Sequence, residues 1–155
     1  MSSGYLFRQM DAADANRVAG WRYEPPYDFY DPDADPEDLA ELLDAESREG
    51  VYFSVLDEGG DLIGFFQFEG RGAAVDLGLG LRPDLTGKGL GMDFLAAGME
   101  FARGRFAPER FTLAVATFNA RAIRIYGRAG FRRGKVFTHE TNGGEHPFLF
   151  MEREA

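Results

Sequence analysis

The feature that most limits what this chain can fold into is Thr86-Gly87-Lys88-Gly89-Leu90-Gly91, a glycine-rich run between a strand-like and a helix-like segment. Ala73 to Leu81 reads as a strand. From the run to about Gly104, Leu90, Phe94, Ala97 and Phe101 recur at helical spacing. Phe111 to Thr117 is a second apolar strand. Strand, helix and strand in this order form a parallel, right-handed crossover. The glycines therefore fall at the C-terminal end of a strand and the N-terminal end of a helix, where ligands of open α/β sheets commonly bind.

Unpaired amides at a helix start attract anions, and the helix dipole adds partial positive charge. Gly87, Gly89 and Gly91 alternate around Lys88, so several amides can converge on one diphosphate with no Cβ in the way. Two familiar nucleotide loops do not fit. A Walker loop needs Ser or Thr after Gly-Lys, but Gly89 follows Gly87-Lys88, and Arg82 stands where its first glycine belongs. The Gly-x-Gly-x-x-Gly fingerprint is completed neither from Gly78 and Gly80 nor from Gly87 and Gly89.

The remaining segments build a sheet around this unit. Tyr5 to Met10 is a short strand, and Asp11 caps a helix with Ala15, Val18, Ala19 and Trp21 as its apolar positions. Glu24 to Pro36, rich in proline, aspartate and aromatics, reads as an irregular loop. Asp35-Pro36 opens a second helix, with Leu39, Leu42 and Leu43 as its buried stripe. Val51 to Leu56 and Leu62 to Phe68 are strands joined by the turn Asp57-Glu58-Gly59-Gly60-Asp61. In the strand from Ala73, Gly78 and Gly80 suggest a bulge or a close approach by another backbone. Asn119 caps a short helix ending near Ala129-Gly130, and a hairpin of Lys135 to Glu140 and Pro147 to Glu152 turns at Asn142-Gly143-Gly144.

Composition narrows the function. The length of 155 residues fits one domain, residues 1–155, with a real core. The absence of cysteine excludes thiolate metal sites and cysteine nucleophiles, and two histidines, His139 and His146, make a poor metal site, so no metal is expected. No stretch approaches the roughly 20 apolar residues of a membrane span, so the expectation is a cytoplasmic protein without a membrane partner. The net charge of −9 argues against nucleic acid as the main partner. That charge is unevenly spread. Leu81 to Lys135 holds eleven Lys/Arg against four Asp/Glu, a net of +7, which leaves −16 for the rest of the chain. A basic portion suits a compact polyanion and an acidic one a cationic substrate, although solvated helix faces give the same count.

Two segments together resemble a known family. Leu81-Arg82-Pro83-Asp84-Leu85-Thr86-Gly87-Lys88-Gly89-Leu90-Gly91 is similar to the pyrophosphate-binding segment of the GNAT superfamily of acetyl-coenzyme-A-dependent N-acetyltransferases, Gln/Arg-x-x-Gly-x-Gly/Ala. Gly89-x-Gly91 matches its end, while Thr86 stands where Gln or Arg is usual. Asn119-Ala120-Arg121-Ala122-Ile123-Arg124-Ile125-Tyr126-Gly127-Arg128-Ala129-Gly130-Phe131 resembles the family's Asn-x-x-Ala-x-x-x-Tyr-x-x-x-Gly-Phe pattern.

The resemblance implies a GNAT-like mixed α/β fold: a central, mostly antiparallel sheet of six to seven strands with one splayed parallel pair and about four flanking helices. It implies that acetyl-coenzyme A lies between the splayed strands Ala73–Leu81 and Phe111–Thr117. The pantetheine arm would then lie along Leu79 and Leu81, and the phosphates on Thr86, Gly87, Lys88, Gly89, Leu90 and Gly91. Asn119 lies near the cofactor by the same resemblance, and also reads as a simple N-cap.

Acetyl transfer to an amine needs a deprotonated amine, a polarised carbonyl and a proton for the leaving thiolate. Without cysteine, direct attack by the amine in a ternary complex is the simpler route. Tyr126 matches the family position that protonates the thiolate, although with Ala122 and Ile123 it also fits a core-facing stripe. For the general base, Asp76 resembles in place a family carboxylate, and Glu24 in the loop on the acceptor side is its rival. Tyr23, Glu24, Tyr27, Asp28 and Tyr30 suit a cationic amine, or else seal the core under the loop. The acceptor is thus a small-molecule or peptide amine, and the family's frequent dimers leave a homodimer open. A non-catalytic acetyl-coenzyme-A binding or sensing module on the same fold is the alternative.

Overall fold

The computed structural model describes residues 4–155. Its elements run β1 (Leu6–Gln9), α1 (Ala12–Ala19), α2 (Pro36–Leu43), α3 (Ala45–Arg48), β2 (Tyr52–Leu56), β3 (Leu62–Arg71), β4 (Ala74–Leu81), α4 (Gly91–Phe106), β5 (Arg110–Ala116), α5 (Ala120–Arg128), β6 (Arg132–Thr141) and β7 (Gly144–Glu154). Single turns of 3-10 helix lie at Tyr27–Tyr30 and Pro83–Leu85. The seven strands hydrogen-bond in the order β1-β2-β3-β4-β5-β7-β6. β4 pairs with β5 in parallel, while β1–β2, β2–β3, β5–β7 and β6–β7 are antiparallel. This is the mixed sheet with one parallel pair expected from the sequence.

The helix starts follow from local chemistry. Each capping side chain takes up one amide that the first helical turn leaves without a partner, worth about 1 kcal/mol. Asp11 accepts from the Asp14 amide, Asp35 from Asp38 with Pro36 in the first turn, Asp44 from Ser47, and Asn119 from Ala122. Asp44 starts α3 directly after α2, a one-turn helix that apolar periodicity does not reveal. The stripe expected on α2 is narrower than read. Leu42 is buried, Leu39 half-buried, and Leu43 exposed at 46%. Leu42 is the α2 leucine that enters the core cluster, while Leu43 is turned to solvent.

The chain gathers into two compact units, one of residues up to Gln67 with Leu79–Leu90, the other of Phe68–Gly78 with Gly91–Ala155. In the first unit, Met10, Ala15, Val18, Leu42, Tyr52, Leu56 and Leu62 form the core, with Trp21 and Phe65 at its margin. Trp21 lies beyond the end of α1, and its ring sits 6.2 Å from that of Phe65. Asp14 is buried at 1% exposure and accepts from Arg8 at 2.9 Å and from the Ser54 hydroxyl at 2.7 Å. A charge so far from water persists only with such partners.

In the second unit, Phe94, Leu95, Phe111, Leu113 and Met151 are the largest buried side chains. Each contributes about 1.5–3 kcal/mol by leaving water. The Phe68 ring lies 5.9 Å from Phe101 and 5.6 Å from Phe106. Leu90, read as a helix position, precedes α4, which starts at Gly91. β6 and β7 extend past the read hairpin at both ends, and their two-residue turn has Asn142 at φ 54° and Gly143 at φ 76°. Positive φ at both residues is the geometry that Asn-Gly favours.

Candidate active site

The predicted residues fall into two groups, one in each unit. The first holds Glu24, Leu79, Leu81 and the loop Thr86, Gly87, Lys88, Gly89 and Leu90. Arg82 roots that loop: its amide donates to the Ile63 carbonyl at 2.8 Å and its guanidinium to the Leu62 carbonyl at 3.1 Å. A second guanidinium nitrogen meets Asp84 at 2.6 Å. The Thr86 hydroxyl donates to the Pro83 carbonyl at 2.8 Å. Its proton thus closes the turn, and only acceptor lone pairs remain to offer a phosphate.

Gly87 at φ 72° and Gly89 at φ 79° are in the left-handed region, where a side chain costs about 1–2 kcal/mol. A Cβ built on Gly89 would meet nothing within 4 Å. Gly87, Lys88 and Gly89 are exposed. At Gly89 packing therefore does not demand a glycine, and the backbone conformation does. Turned and uncovered, Gly87 and Gly89 fit a loop whose amides are offered to an anion such as a diphosphate.

β4 leads into this loop. The expected close approach at Gly80 is by a ring and not by a backbone, because a Cβ there would stand 2.5 Å from Cε1 of Phe65. Tyr23 donates its hydroxyl to the Leu81 carbonyl at 2.6 Å, and the Tyr23 amide donates to Asp31 at 2.8 Å. Burial, with the Asp31 charge adding to it, pushes the Tyr23 phenol well above its usual range, so it stays a proton donor. The Tyr23-to-Tyr30 segment is thereby fastened to the end of β4. Glu24 is exposed, and its carbonyl accepts from the Tyr27 amide.

The second group holds Asp76, Gly91, Asn119 and Tyr126. β4 and β5 pair through Ala74↔Arg110, Val75↔Phe111 and Asp76↔Thr112, although β5 continues to Ala116. Asp76 thus stands at the last registered position of the parallel pair. Its Oδ1 accepts from the Thr112 hydroxyl at 2.6 Å. Partial burial raises the Asp76 carboxyl above its usual range, although the Thr112 hydrogen bond and Arg71 pull the other way. Thr112 was not singled out from sequence. The signal was its place opposite Asp76, which needs the strand register and not only the strand.

Gly91 opens α4 beside α5: a Cβ on Gly91 would lie 2.9 Å from Cδ1 of Ile125. Asn119 is buried at 8% exposure, and its Oδ1 accepts from Ala122 at 3.1 Å, so the N-cap role is realised. Tyr126 lies in the last turn of α5, half-buried, its ring edge-on to Phe131 at 6.0 Å. The Gly-Phe that closes the motif has a physical reason. Gly130 at φ 96° reverses the chain, and the Phe131 amide donates to the Tyr126 carbonyl at 3.0 Å. Phe131, buried at 4% exposure, then packs on the tyrosine ring. Arg153 donates to the Ala129 carbonyl, placing a cation at the end of the helix. Among the described residues, no three histidine, aspartate or glutamate side chains gather as a metal site needs, and no helix is long and apolar enough to cross a membrane.

A family model, the acetyltransferase (GNAT) domain, matches residues 5–132. No curated protein matches the sequence. Among solved structures, spermidine N-acetyltransferase from Vibrio cholerae in complex with CoA and spermine is similar at TM-score 0.77 and 18% identity, covering 99% of this chain and 96% of that one. A chimera of that Vibrio cholerae enzyme and hSSAT gives 0.78 at 18% identity, covering 97% and 95%. An acetyltransferase of the GNAT family from Bacillus anthracis gives 0.76 at 18% identity, covering 97% and 94%. At such identity the structures speak to the fold, and the domain match, over most of the chain, speaks to the family. The chain belongs to the GNAT family and is an acetyl-coenzyme-A-dependent acetyltransferase.

Proposed function

We propose that this chain, working as one N-acetyltransferase domain, moves an acetyl group from acetyl-coenzyme A to a primary amine of a small cationic molecule, of the polyamine kind. The observation that carries the acceptor class is the segment Arg22 to Glu49, where eleven Asp/Glu face two arginines. Glu24, Asp28, Asp33, Glu37 and Asp38 are among those exposed to solvent. An amine carrying further positive charges gains attraction from such a surface that a neutral amine does not. The similar Vibrio cholerae enzyme acts on spermidine and was solved with spermine, which supports the same acceptor class.

The acetyl thioester supplies the activated acyl group. On this reading the chain's own residues do the rest. The amides of Gly87, Lys88, Gly89 and Leu90, together with Gly91, hold the diphosphate, and Lys88 adds a positive charge. Thr86 shapes the turn. The backbone of β4 at Leu79 and Leu81 aligns the pantetheine arm. Asn119 fixes the start of α5, and Tyr126 donates its proton to the leaving thiolate.

Of the two candidates we assign the base to Asp76. Its raised affinity for a proton brings it nearer the task of accepting one, and Thr112 holds its orientation. Glu24, exposed in the acidic segment, fits recognition of the acceptor better. In a chain without a cysteine nucleophile, direct attack by the amine within a ternary complex is the simpler route.

The test is a calorimetric titration with acetyl-coenzyme A beside ATP and NAD, followed by thiol release with spermidine, spermine and an uncharged primary amine of similar length. Saturable binding of acetyl-coenzyme A alone, with release favouring the polyamines, is expected. Binding without release on any amine would turn the reading to a sensing module. Equal use of the uncharged amine would remove the acidic segment from recognition.

A further inference from the structure

A strand covers its faces with side chains, and β4 breaks that cover at Gly80. The space is nonetheless filled. A Cβ built on Gly80 would lie 2.5 Å from Cε1, 3.0 Å from Cζ and 3.3 Å from Cδ1 of Phe65. One edge of the Phe65 ring therefore rests on the bare backbone of β4.

Phe65 is held from two sides. Its backbone is registered opposite Ser54 in the ladder between β2 and β3, and its ring lies 6.2 Å from that of Trp21, tilted by 39°. Yet the ring is not sealed into the core. Phe65, Trp21, Leu79, Gly80 and Leu81 are all half-buried, whereas Phe66, the next residue of β3, is fully buried. Beside them the Tyr23 hydroxyl fixes the Leu81 carbonyl at 2.6 Å. The result is a braced apolar wall that stands over one residue of β4 and keeps part of its surface open.

We propose that Phe65 sets the length of the acyl group, so that the enzyme takes acetyl and discriminates against propionyl and longer chains. This rests on the reading that the backbone at Leu79 and Leu81 aligns the pantetheine arm, since position 80 lies between them. The arm enters from the glycine loop beyond Leu81 and runs back along β4, and the acyl group at its tip meets the Phe65 edge. The missing side chain at Gly80 lets the thioester approach the backbone. The ring then limits how far the acyl carbons reach beyond it. Propionyl and butyryl add one and two methylenes, which must displace a ring braced by Trp21 and by the ladder. Close-packed apolar walls yield poorly to such additions. The reaction is otherwise the same for each donor. The amine nitrogen bonds to the carbonyl carbon, the carbon–sulfur bond breaks, the amine loses one proton and the thiolate takes one up.

The experiment compares initial rates of thiol release from acetyl-, propionyl- and butyryl-coenzyme A, with spermidine as acceptor. For the wild type, kcat/KM is expected to fall by roughly tenfold or more for each added methylene. Phe65→Leu removes the far edge of the ring and should raise the butyryl-to-acetyl ratio by roughly tenfold or more. Phe65 also borders the core, so this variant loses some stability. The ratio of two donors on one sample is independent of how much of it is folded.

A second variant asks whether the room lies over Gly80. Phe65→Leu combined with Gly80→Ala places a methyl group where the ring edge stood, and the ratio should return towards that of the wild type. Three results overturn the proposal: a wild type that uses butyryl-coenzyme A as well as acetyl-coenzyme A, a ratio unchanged in Phe65→Leu, or a raised ratio that the added methyl leaves unaltered. A chain that transfers no acyl group from any of the three donors overturns the functional reading and this inference together. Transfer of acetyl with selectivity indifferent to Phe65 overturns this inference alone.

Discussion

Tyr126 owes its position to two neighbours that have no chemistry of their own. Gly130 turns the chain and the Phe131 ring packs edge-on against the phenol ring, so the ring's position is set by packing. Tyr126→Phe keeps the ring contact and removes the proton. Turnover is expected to fall about 100-fold, with acetyl-coenzyme A affinity within about twofold of wild type. Paired steady-state kinetics and calorimetry would check this, and unchanged turnover would remove Tyr126 from the mechanism.

Asp76 makes a prediction in pH. Its carboxyl binds a proton more tightly in the folded chain than an ordinary aspartate does, because burial opposes the charge. As a base it must be ionised, so activity should decline as pH falls through that raised value. Asp76→Asn should remove this acid limb along with most of the rate. Stability runs the opposite way. The folded chain holds the proton more tightly than the unfolded one, so the stabilisation is fully present below the unfolded value and is lost as pH rises through the folded one. Denaturant titrations of both proteins across that window should show the wild type losing stability relative to Asp76→Asn as pH rises.

At the scale of elements, the chain advertised three of its helix caps and its glycine loop, since both depend on neighbours in sequence. Asp11, Asp35 and Asn119 were legible as caps because a cap reaches only three residues ahead. Strand register and burial were not. The Gly80 contact with Phe65, the hydrogen bond from Thr112 to Asp76 and the exposure of Leu43 depend on residues remote in sequence. The loop yields a test that separates binding from folding. A Cβ at Gly89 meets no atom within 4 Å, so the cost of Gly89→Glu comes from its left-handed backbone and stability should drop by about 1–2 kcal/mol. Acetyl-coenzyme A binding should be lost, by bulk and negative charge against the diphosphate. Calorimetry beside thermal denaturation distinguishes the two effects, and normal binding would mean that the phosphate loop is misplaced.

For the whole molecule, the net charge of −9 is the sum of a basic stretch and a strongly acidic remainder. Sequence was enough to show this division, because charge counts need no geometry. The division predicts how activity responds to salt. For a polyamine acceptor, KM should rise several-fold between about 0.05 and 0.3 M salt as screening shortens the reach of the acidic segment. For an uncharged amine it should stay nearly level. Initial rates with both acceptors over that range make the comparison, and parallel behaviour would show that the acidic segment does not attract the acceptor.

The hydroxyl of Tyr23 on the Leu81 carbonyl bears on the order of events. The strand end it grips also feeds the glycine-rich loop, so on the proposed reading the segment offered to the amine would be tethered to the backbone that receives the cofactor. A seated cofactor would then steady that tether before the amine arrives. Kinetics should then follow a compulsory sequence, acetyl-coenzyme A first and the amine second, and free amine should find a weaker welcome on the empty enzyme than on the loaded one.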